Sequence, residues 1–524
     1  MPAIILNNIS FSFSEDYSIF NNVTASFGED KTGIVGRNGA GKSTLFRLIL
    51  GEIKPQEGTI TTPKNIGYLP QKPTLNAKSI VTDLFGATAK LQALKNIEAG
   101  SMDTTDYDIL GDDWDIREQI VAKLSSIGLT EINVERKLAT LSGGEVMLTA
   151  LAGLQFQDFP VVLLDEPTNN LDLATKELLY EQIRNWKGTL LVISHDIELL
   201  ELMDETAEIY NKGIDMYGGP YSFYQEILAT EQNRALQLVK TAEQKVKLKK
   251  RQRQETEKKL ATKKRVGNKA FAEKRAPKMI MNLRKRKAQV SAGKLRDQAD
   301  NQVATANNDL VNMSEKVRDI TKIKIDLPDP KTPTNKILVK LYSPMEDVVI
   351  KGQDRVVLTG KNGIGKTQLI NALLTNTATK ATYGESFTKR IGHLPQRLNN
   401  LSEEKTLLEN IQESAPNALD NEIRAQLARF LFRADQVYKK VNELSGGERF
   451  RVSLAKLLLA NPANQLLILD EPSNNLDLDS VNELVSALEN YRGATLLISH
   501  DLNLISKIQA DTVIKLTDNG IVIK

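Results

Sequence analysis

The chain has 524 residues, 41% of them hydrophobic and 26% charged, with a formal net charge of +3 and a mean hydropathy of -0.31; this composition is typical of a globular protein with at least two domains. Because it lacks a run of 18 apolar residues and a leader-like N-terminus, we expect neither a membrane-spanning helix nor secretion. The absence of cysteine excludes disulfides and thiolate metal sites, and agrees with the cytoplasmic location that we expect.

The first predicted elements are a buried strand at residues 32–36, a glycine-rich loop at 36–43 and a helix at 44–50. This order is the context that a phosphate-binding loop requires. Its glycines let backbone N–H groups approach phosphates closely, while Lys42 offers a cation and Ser43 a hydroxyl group for Mg²⁺. The residues of this loop that we predict to bind ATP are Gly36, Asn38, Gly39, Gly41, Lys42, Ser43 and Thr44.

Two further apolar strands, at residues 161–165 and 190–194, end at candidate catalytic side chains. Asp165 would emerge near the phosphate loop, where it can hold Mg²⁺, and Glu166 can orient the attacking water. His195 can hydrogen-bond the γ-phosphate and that water. A lone Asp-Glu pair can instead be a structural cap at a strand end, but the apolar residues before it and the proline after it occur twice in this chain.

The connector that follows is strongly basic. Residues 231–290 contain 21 Lys and Arg against five Glu, a net charge of +16, so the rest of the chain carries -13. Apolar residues at steps of three and four occur at its beginning and after its end, namely Ala235, Val239, Ala242, Val246, Val303, Ala306, Leu310, Met313, Val317 and Ile320. This pattern predicts an antiparallel helical hairpin with its turn between Gly267 and Pro277.

A solvated helix face or a disordered linker is the alternative interpretation of such a charged stretch. The single sign of the charge and the apolar seams at both ends favour contact with nucleic acid instead. The candidate RNA-binding residues are Lys263, Lys264, Arg265, Lys274, Arg275, Lys278, Arg284, Lys285, Arg286 and Lys287.

After the connector the same motifs recur in the same order, at residues 360–367, 444–448, 466–472 and 499–501. A collinear repeat of this kind is hard to obtain by accident and predicts a duplicated ATPase. We place the first half at residues 1–224, the linker at 225–335 and the second half at 336–524. The matching candidates are Gly360, Asn362, Gly363, Gly365, Lys366, Thr367 and Gln368 for ATP, Asp470 for Mg²⁺, and Glu471 and His500 for catalysis.

These motifs resemble the ATP-binding-cassette (ABC) superfamily, whose specific mark is the Leu-Ser-Gly-Gly-Glu signature at residues 141–145 and 444–448. The resemblance implies an α/β fold with two P-loop ABC ATPase domains, or cassettes, in tandem, joined by the long antiparallel helical hairpin. It also implies that the cassettes meet head to tail within one monomer. Ser142 and Gly144 would then complete the site of Lys366, and Ser445 and Gly447 the site of Lys42.

By the same resemblance Gln71 and Gln396 contact Mg²⁺, Phe13 stacks on adenine, and the loops at 169–172 and 474–477 cross between the cassettes. Two departures concern the Lys366 site. The first signature continues Val146-Met-Leu148 where the second has Arg449-Phe-Arg451, and no clear aromatic near Tyr342 matches Phe13. They predict that the two sites differ in ATP binding or turnover.

The layout of two cassettes, an insertion in the first and a long basic connector resembles the ABC-F subfamily of ribosome-associated ATPases. This resemblance implies that the ATP-bound form occupies the tRNA exit site of the ribosome. Its linker would reach large-subunit rRNA, the peptidyl-tRNA and the peptidyl-transferase centre. The alternatives are the tandem ATPase subunit of an ABC importer, which has no need of a basic hairpin, and a DNA-binding ABC ATPase. Antibiotic protection and regulation of elongation both remain open roles.

Overall fold

The structure is a computed structural model and describes residues 3–14, 17–71, 79–272, 278–314, 317, 327–343, 346–375, 384–396, 398–432, 434–474, 476–517 and 519–523. Internal contacts divide the chain into two compact units, Met1–Ser222 with Lys322–Lys524, and Phe223–Thr321. The first unit therefore contains both cassettes, and the second is the hairpin. The exact domain limits given above stay a prediction.

The first cassette alternates strands and helices after an antiparallel start. Its strands are β1 (Ile4–Ser14), β2 (Tyr17–Phe27), β3 (Lys31–Val35), β4 (Glu57–Thr61), β5 (Ile66–Leu69), β6 (Val161–Asp165), β7 (Thr189–Ile193), β8 (Glu205–Tyr210) and β9 (Gly213–Tyr217). Its helices are α1 (Lys42–Ile49), α2 (Val81–Leu84), α3 (Thr88–Glu98), α4 (Thr104–Leu110), α5 (Ile116–Ser126), α6 (Gly143–Phe156), α7 (Leu173–Arg184) and α8 (Ile197–Leu200).

The hairpin consists of α9 (Tyr221–Ala272) and α10 (Lys278–Ser314), and the second cassette follows. The strands of that cassette are β10 (Ile337–Leu341), β11 (Val348–Lys351), β12 (Arg355–Gly360), β13 (Gly384–Ser386), β14 (Ile391–Leu394), β15 (Leu466–Asp470), β16 (Ala494–Ile498), β17 (Thr512–Thr517) and β18 (Gly520–Ile523). Its helices are α11 (Lys366–Thr375), α12 (Leu407–Ser414), α13 (Asp420–Arg429), α14 (Gly446–Leu458), α15 (Leu478–Glu489) and α16 (Leu502–Ile508).

Both cassettes share one sheet topology. The larger sheets have the strand orders β5-β6-β7-β3-β8-β9 and β14-β15-β16-β12-β17-β18, which are parallel except for the last strand of each. Strands β6, β7, β15 and β16 are buried along their whole length, as expected for central parallel strands covered on both faces. Their carboxyl ends therefore meet at one edge, where the candidate acidic residues and histidines follow.

The predicted insertion in the first cassette is confirmed, because four α-helices, α2 to α5, lie between residues 71 and 141, where the described part of the second cassette has only α12 and α13 between residues 396 and 444. Trp114 lies in this insertion, half-exposed, with its ring centroid 6.2 Å from that of Tyr107. No helix among the described residues is both long and apolar enough to cross a membrane.

The predicted hairpin is confirmed, and its arms run antiparallel. Four pairs join them in descending register: Lys245 with Asp309, Lys249 with Gln302, Arg253 with Asp300, and Glu257 with Arg296. Ala242, Val246 and Ala306 of the predicted seam are buried, whereas the seam residue Ile320 lies outside the described residues.

The predicted start of the turn was wrong, because Gly267 and Asn268 are helical and α9 continues to Ala272. A single glycine costs a helix only about 1 kcal/mol relative to alanine. The strong helix formers around it, Lys263, Lys264 and Arg265 before and Lys269 after, offset that cost.

Candidate functional site

The phosphate loop of the first cassette depends on glycine at its end. Gly41 has φ +107° and precedes the first residue of α1, and a Cβ atom there would lie 2.4 Å from Cγ2 of Ile19. Only glycine fits both the backbone angle and the space. The loop therefore turns so that the first N–H groups of α1 face the phosphate position.

The lysines of the two loops are buried at matching places. Lys42 Nζ donates to Gly36 O at 2.7 Å, and Lys366 Nζ donates to Gly360 O at 2.7 Å. Lys366 also contacts His500 Nε2 and lies 3.9 Å from Glu471 Oε1. Burial lowers the pKa of both lysines, and the nearby carboxylates oppose that shift. Each ammonium group thus stands between its glycine loop and its acidic pair.

A cavity of about 300 Å³ opens at the Lys42 site. Its lining brings together the predicted residues Phe13, Asn38, Gly39, Gly41, Lys42, Ser43, Thr44, Gln71, Asp165 and Glu166, beside Ile19 and Ile193. The side chains of Ser43 and Asp165 are hydrogen-bonded, and burial raises the pKa of Asp165. A hydroxyl group and a carboxylate side by side are the oxygen ligands that Mg²⁺ takes beside phosphates, so these residues fit Mg²⁺-ATP.

Glu166 and Glu471 have left-handed backbone conformations, with φ of +53° and +47°. The backbone N–H of Glu166 donates to Ile193 O at 2.8 Å, and that of Glu471 donates to Ile498 O at 2.9 Å. A non-glycine residue in this region costs about 1–3 kcal/mol and is enriched at active sites. The sequence reasoning did not anticipate this strain, because no local residue pattern encodes it.

Each glutamate is paired with the predicted histidine. His195 Nε2 lies 3.2 Å from Glu166 Oε1, and His500 Nε2 lies 3.5 Å from Glu471 Oε1. Burial raises the pKa of Glu471 to about 7 and also raises that of Glu166. Burial, with the neighbouring lysine, lowers the pKa of each histidine, to about 4 for His500. The imidazoles are therefore neutral at pH 7.

The cassettes contact each other through their phosphate loops. Asn38 N donates to Asp477 Oδ2 at 2.9 Å, and on the other side Asn362 Nδ2 donates to Asn170 O at 2.7 Å. Gln396 Nε2 also donates to Asn170 Oδ1 at 3.1 Å. In each direction the phosphate loop of one cassette contacts the Asn-Asn-Leu-Asp loop of the other, and Gln396 adds a second contact to Asn170.

The signature motifs lie beside these crossing loops. Ser142 and Ser445 cap α6 and α14, and each bonds reciprocally with the glutamate three residues later. A Cβ atom on Gly144 would lie 3.0 Å from Thr175, and one on Gly447 would lie 3.7 Å from Ser480 Oγ. Thr175 N donates to Asp172, and Ser480 N donates to Asp477. These two aspartates also accept from the backbone of Asn362 and Asn38 respectively, which connects each signature to the opposite phosphate loop.

The difference between residues 449–451 and 146–148 is accompanied by a difference in the helices that pack against them, α15 and α7. Arg451 Nη1 lies 3.7 Å from Glu483 Oε1 with both side chains largely buried, and its guanidinium group lies over Phe432. Leu148 and Leu178 occupy the corresponding positions of the first cassette. A charged pair in one cassette thus replaces two leucines in the other.

Replacing Arg451 alone by leucine is expected to lower the free energy of unfolding by about 1–3 kcal/mol, because the carboxyl group of Glu483 then lies largely buried without its partner. The double variant R451L/E483L copies the first cassette and should recover most of that loss. Denaturant unfolding of the two variants measures the difference. Equal destabilisation by both would contradict this account.

Phe13 and Tyr342 also differ between the sites. Phe13 is 56% exposed and lines the Lys42 cavity, with its ring edge-on to Phe11. The hydroxyl group of Tyr342 instead donates to Glu385 Oε2 at 3.0 Å, and Lys340 lies over its ring. Tyr342 is therefore held by Glu385 and Lys340, and it does not match the exposed ring that Phe13 presents at the Lys42 site.

The remaining candidates of the Lys366 site lie at the expected element ends. Gly360 ends β12, Lys366 begins α11 with Thr367 and Gln368 in its first turn, and Asp470 ends β15. Gly363 and Gly365 have φ of +79° and +102°.

Of the candidate RNA-binding residues, seven are exposed on the hairpin: Lys263, Lys264 and Arg265 on α9, and Arg284, Lys285, Arg286 and Lys287 on α10. Lys274 and Arg275 lie outside the described residues, and so does the side chain of Lys278. Their role in RNA binding stays a prediction.

Sequence reasoning missed two charged features at the cassette interface. Arg37 Nε bonds Asp479 Oδ2 at 2.8 Å across the interface, and Lys176 Nζ bonds Asp196 Oδ2 at 2.6 Å within the first cassette. Alignment of the two copies after the Asn-Asn-Leu-Asp loop shows that Lys176 and Asp479 differ from their counterparts Val481 and Ala174, but it does not identify their partners.

Comparison with known proteins gives a consistent result. The family model described as "ABC transporter" matches residues 20–169 and 347–474. The tylosin resistance ATP-binding protein TlrC of Streptomyces fradiae is 30% identical over 521 residues, which cover 91% of each chain. The ATP-binding protein Uup of Haemophilus influenzae is 30% identical over 90% of this chain and 72% of its own.

The fold is also similar to a solved structure, that of the archaeal ribosome recycling factor aABCE1 in complex with the ribosomal stalk protein aP1. The TM-score is 0.56 at 20% identity, covering 97% of this chain and 87% of that one. At this identity the similarity supports the tandem fold alone.

Proposed function

The chain belongs to the ATP-binding-cassette family of ATPases and, within it, to the ABC-F subfamily, and on this premise we propose that it binds the ribosome when ATP has closed the two cassettes. In this proposal the closed form occupies the tRNA exit site, the hairpin reaches the peptidyl-tRNA and large-subunit rRNA at the peptidyl-transferase centre, and hydrolysis releases the protein. The basic hairpin between the cassettes is the observation that carries it.

In the proposed ATP sites, each glycine loop holds the phosphate chain of one nucleotide. Mg²⁺-ATP supplies the transferable γ-phosphoryl group and part of the charge neutralisation. Ser43 and Asp165, or Thr367 and Asp470, would hold the metal, with Gln71 or Gln396 beside it. Signature residues of the opposite cassette, Ser445 and Gly447 or Ser142 and Gly144, would complete each site.

Glu166 and Glu471 are the groups that would orient the attacking water. Their raised pKa values suit a group that accepts a proton near neutral pH. His195 and His500 hold those carboxylates in place and, being neutral, can accept or donate a hydrogen bond at the γ-phosphate. The chain residues thus position the reactants and exclude bulk water.

The hairpin supplies an electrostatic surface suited to RNA. Its exposed lysines and arginines lie along two helices of 52 and 37 residues, and phosphate contacts of this kind give affinity without sequence reading. An importer ATPase has no use for such a surface. Ribosome binding is therefore the better supported alternative.

Protection of the ribosome against antibiotics is the role that we favour within this proposal. The similarity to a tylosin resistance protein supports it, and so do Met279 and Ile280, which are 78% and 45% exposed near the start of α10. Expression in a sensitive strain should raise the inhibitory concentration of a peptidyl-transferase inhibitor. Unchanged sensitivity together with ribosome binding would favour regulation of elongation.

The triple variant R284Q/R286Q/K287Q tests the hairpin. We expect weaker co-sedimentation with ribosomes and a salt dependence whose log-log slope falls by about two to three, since each lost phosphate contact removes about 0.7–0.9. ATP binding by the isolated protein should not change.

A matched control replaces three hairpin cations whose charge is already balanced across the arms, as K245Q/R253Q/R296Q. This control should change the slope by less than one. If both triples behave alike, or if neither changes ribosome binding, the hairpin does not act through phosphate contacts. Co-purification with a membrane permease instead of ribosomes would favour the importer alternative.

A further inference from the structure

A small polar cavity of about 40 Å³ lies between the two cassettes. The Glu-His pair of each cassette borders it, with Lys176 and Asp196 of the first cassette and Asp501 of the second. This volume has room for about one to three water molecules. Charges that face the cavity from one cassette therefore act on groups of the other through little solvent.

Lys176 is fixed in this cavity by its own cassette. Its ammonium group lies 2.6 Å from Asp196 Oδ2, which also accepts the Tyr180 hydroxyl at 2.9 Å. The side chains of Lys176 and Asp196 are only 13% and 8% exposed. Asp196 is held in turn as the cap of α8, where its other oxygen accepts from Leu199 N.

The second cassette has no counterpart of this arrangement. Val481 and Val485 stand where the first cassette has Lys176 and Tyr180, and Asp501 serves as the cap of α16. Of the described residues that line the cavity, Lys176 is the one lysine or arginine, against the carboxylates of Glu166, Asp196, Glu471 and Asp501. One cation of the first cassette thus borders a cavity that it shares with the Glu-His pair of the second.

We propose that Lys176 is a positioning residue for ATP hydrolysis at the opposite site, where its charge holds Glu471 and His500 in their working arrangement across the cavity. The inference rests on the catalytic roles proposed above for those two residues. It makes turnover at the Lys366 site depend on a side chain of the first cassette, whereas the Lys42 site receives no such cation from Val481.

The charge of Lys176 does reach the opposite pair. Burial and Lys366 are the main causes that lower the pKa of His500; of the nearby first-cassette groups, Asp172 opposes this shift and Lys176 adds to it. Burial dominates the raised pKa of Glu471, and Lys176 is among the groups that oppose the rise. For Glu166 and His195 of its own cassette, burial and Lys42 are instead the main causes of the pKa shifts.

The test measures hydrolysis at one site at a time in the isolated full-length protein. K176V is combined with E166Q, which leaves Glu471 as the active glutamate, and separately with E471Q, which leaves Glu166. We expect single-turnover hydrolysis to fall about tenfold in the first combination and less than twofold in the second. K176R, which keeps the cation, should restore at least half of the lost rate.

A merely structural role gives the opposite pattern, because Lys176 packs in the first cassette and its loss would harm the Glu166 site first. An equal loss at both sites, or a larger loss at the Glu166 site, would overturn the proposal. K176Q serves as the second neutral variant if K176V has a lowered unfolding midpoint. Full turnover in the E166Q and E471Q parents would instead refute the glutamate roles, independently of Lys176.

Discussion

Replacing Glu166 and Glu471 together by glutamine is expected to lower ATP turnover by about 10²–10⁴-fold while ATP still binds. The amide keeps the size and place of each side chain, including its contact with the neighbouring histidine, but it cannot accept the proton of the attacking water. Phosphate release measures turnover, and nucleotide retention on the protein measures binding. If the proposed function holds, the variant should accumulate on ribosomes in an ATP-dependent way.

The control for this variant is E98Q/E489Q, which changes one exposed glutamate in each cassette. It should keep the turnover and the transient ribosome binding of the unchanged protein. Normal ATP hydrolysis by E166Q/E471Q would exclude the catalytic roles of Glu166 and Glu471. If E166Q/E471Q retains ATP but stays free of ribosomes in a gradient, the assignment as an ATPase still holds and the ribosomal proposal is rejected.

Replacing Gly41 by alanine is expected to abolish ATP binding at the Lys42 site and to lower the free energy of unfolding by about 2–5 kcal/mol. The left-handed backbone contributes about 1–2 kcal/mol for a residue with a Cβ atom, and the overlap with Ile19 contributes about 1–3 kcal/mol. Relief of either strain displaces the loop that faces the phosphates. Titration with a fluorescent ATP analogue and denaturant unfolding measure the two effects.

Gly365 provides the matched control, because its φ of +102° is close to that of Gly41 but a Cβ atom there would meet only Gln368 Oε1 at 3.5 Å. G365A should therefore lose only the backbone part, about 1–2 kcal/mol. If the two alanine variants were equally destabilised, the space around Ile19 would not matter. Wild-type ATP affinity in G41A would contradict the role given to this loop.

Local patterns in the sequence were sufficient to predict much of this fold. Apolar strands before glycine loops and acidic pairs predicted the order of elements, because residues that must be buried on both faces leave a continuous apolar run. The hairpin was predicted from its seam, but its turn was placed too early at Gly267, since neighbouring helix formers outweighed one glycine.

Contacts between distant segments could not be predicted in the same way. Lys176 reads as an ordinary surface lysine of an amphipathic helix until the fold brings Asp196 to it and the opposite cassette to the cavity. The pair of Arg37 with Asp479 joins residues 442 positions apart, which no local periodicity connects. Such features depend on tertiary packing, so a single sequence carries no direct signal for them.

The two arms of the hairpin are held together unevenly along their length. Buried apolar side chains fasten its arms at Ala242, Val246 and Ala306, but none of the described side chains from residue 247 to 302 is buried. Over that stretch the arms are joined by exposed ion pairs, which contribute little each and weaken as salt rises. We therefore expect the hairpin to be stiffer where these apolar side chains pack than along the stretch toward its turn, so that the part near the turn bends more readily to follow an uneven surface.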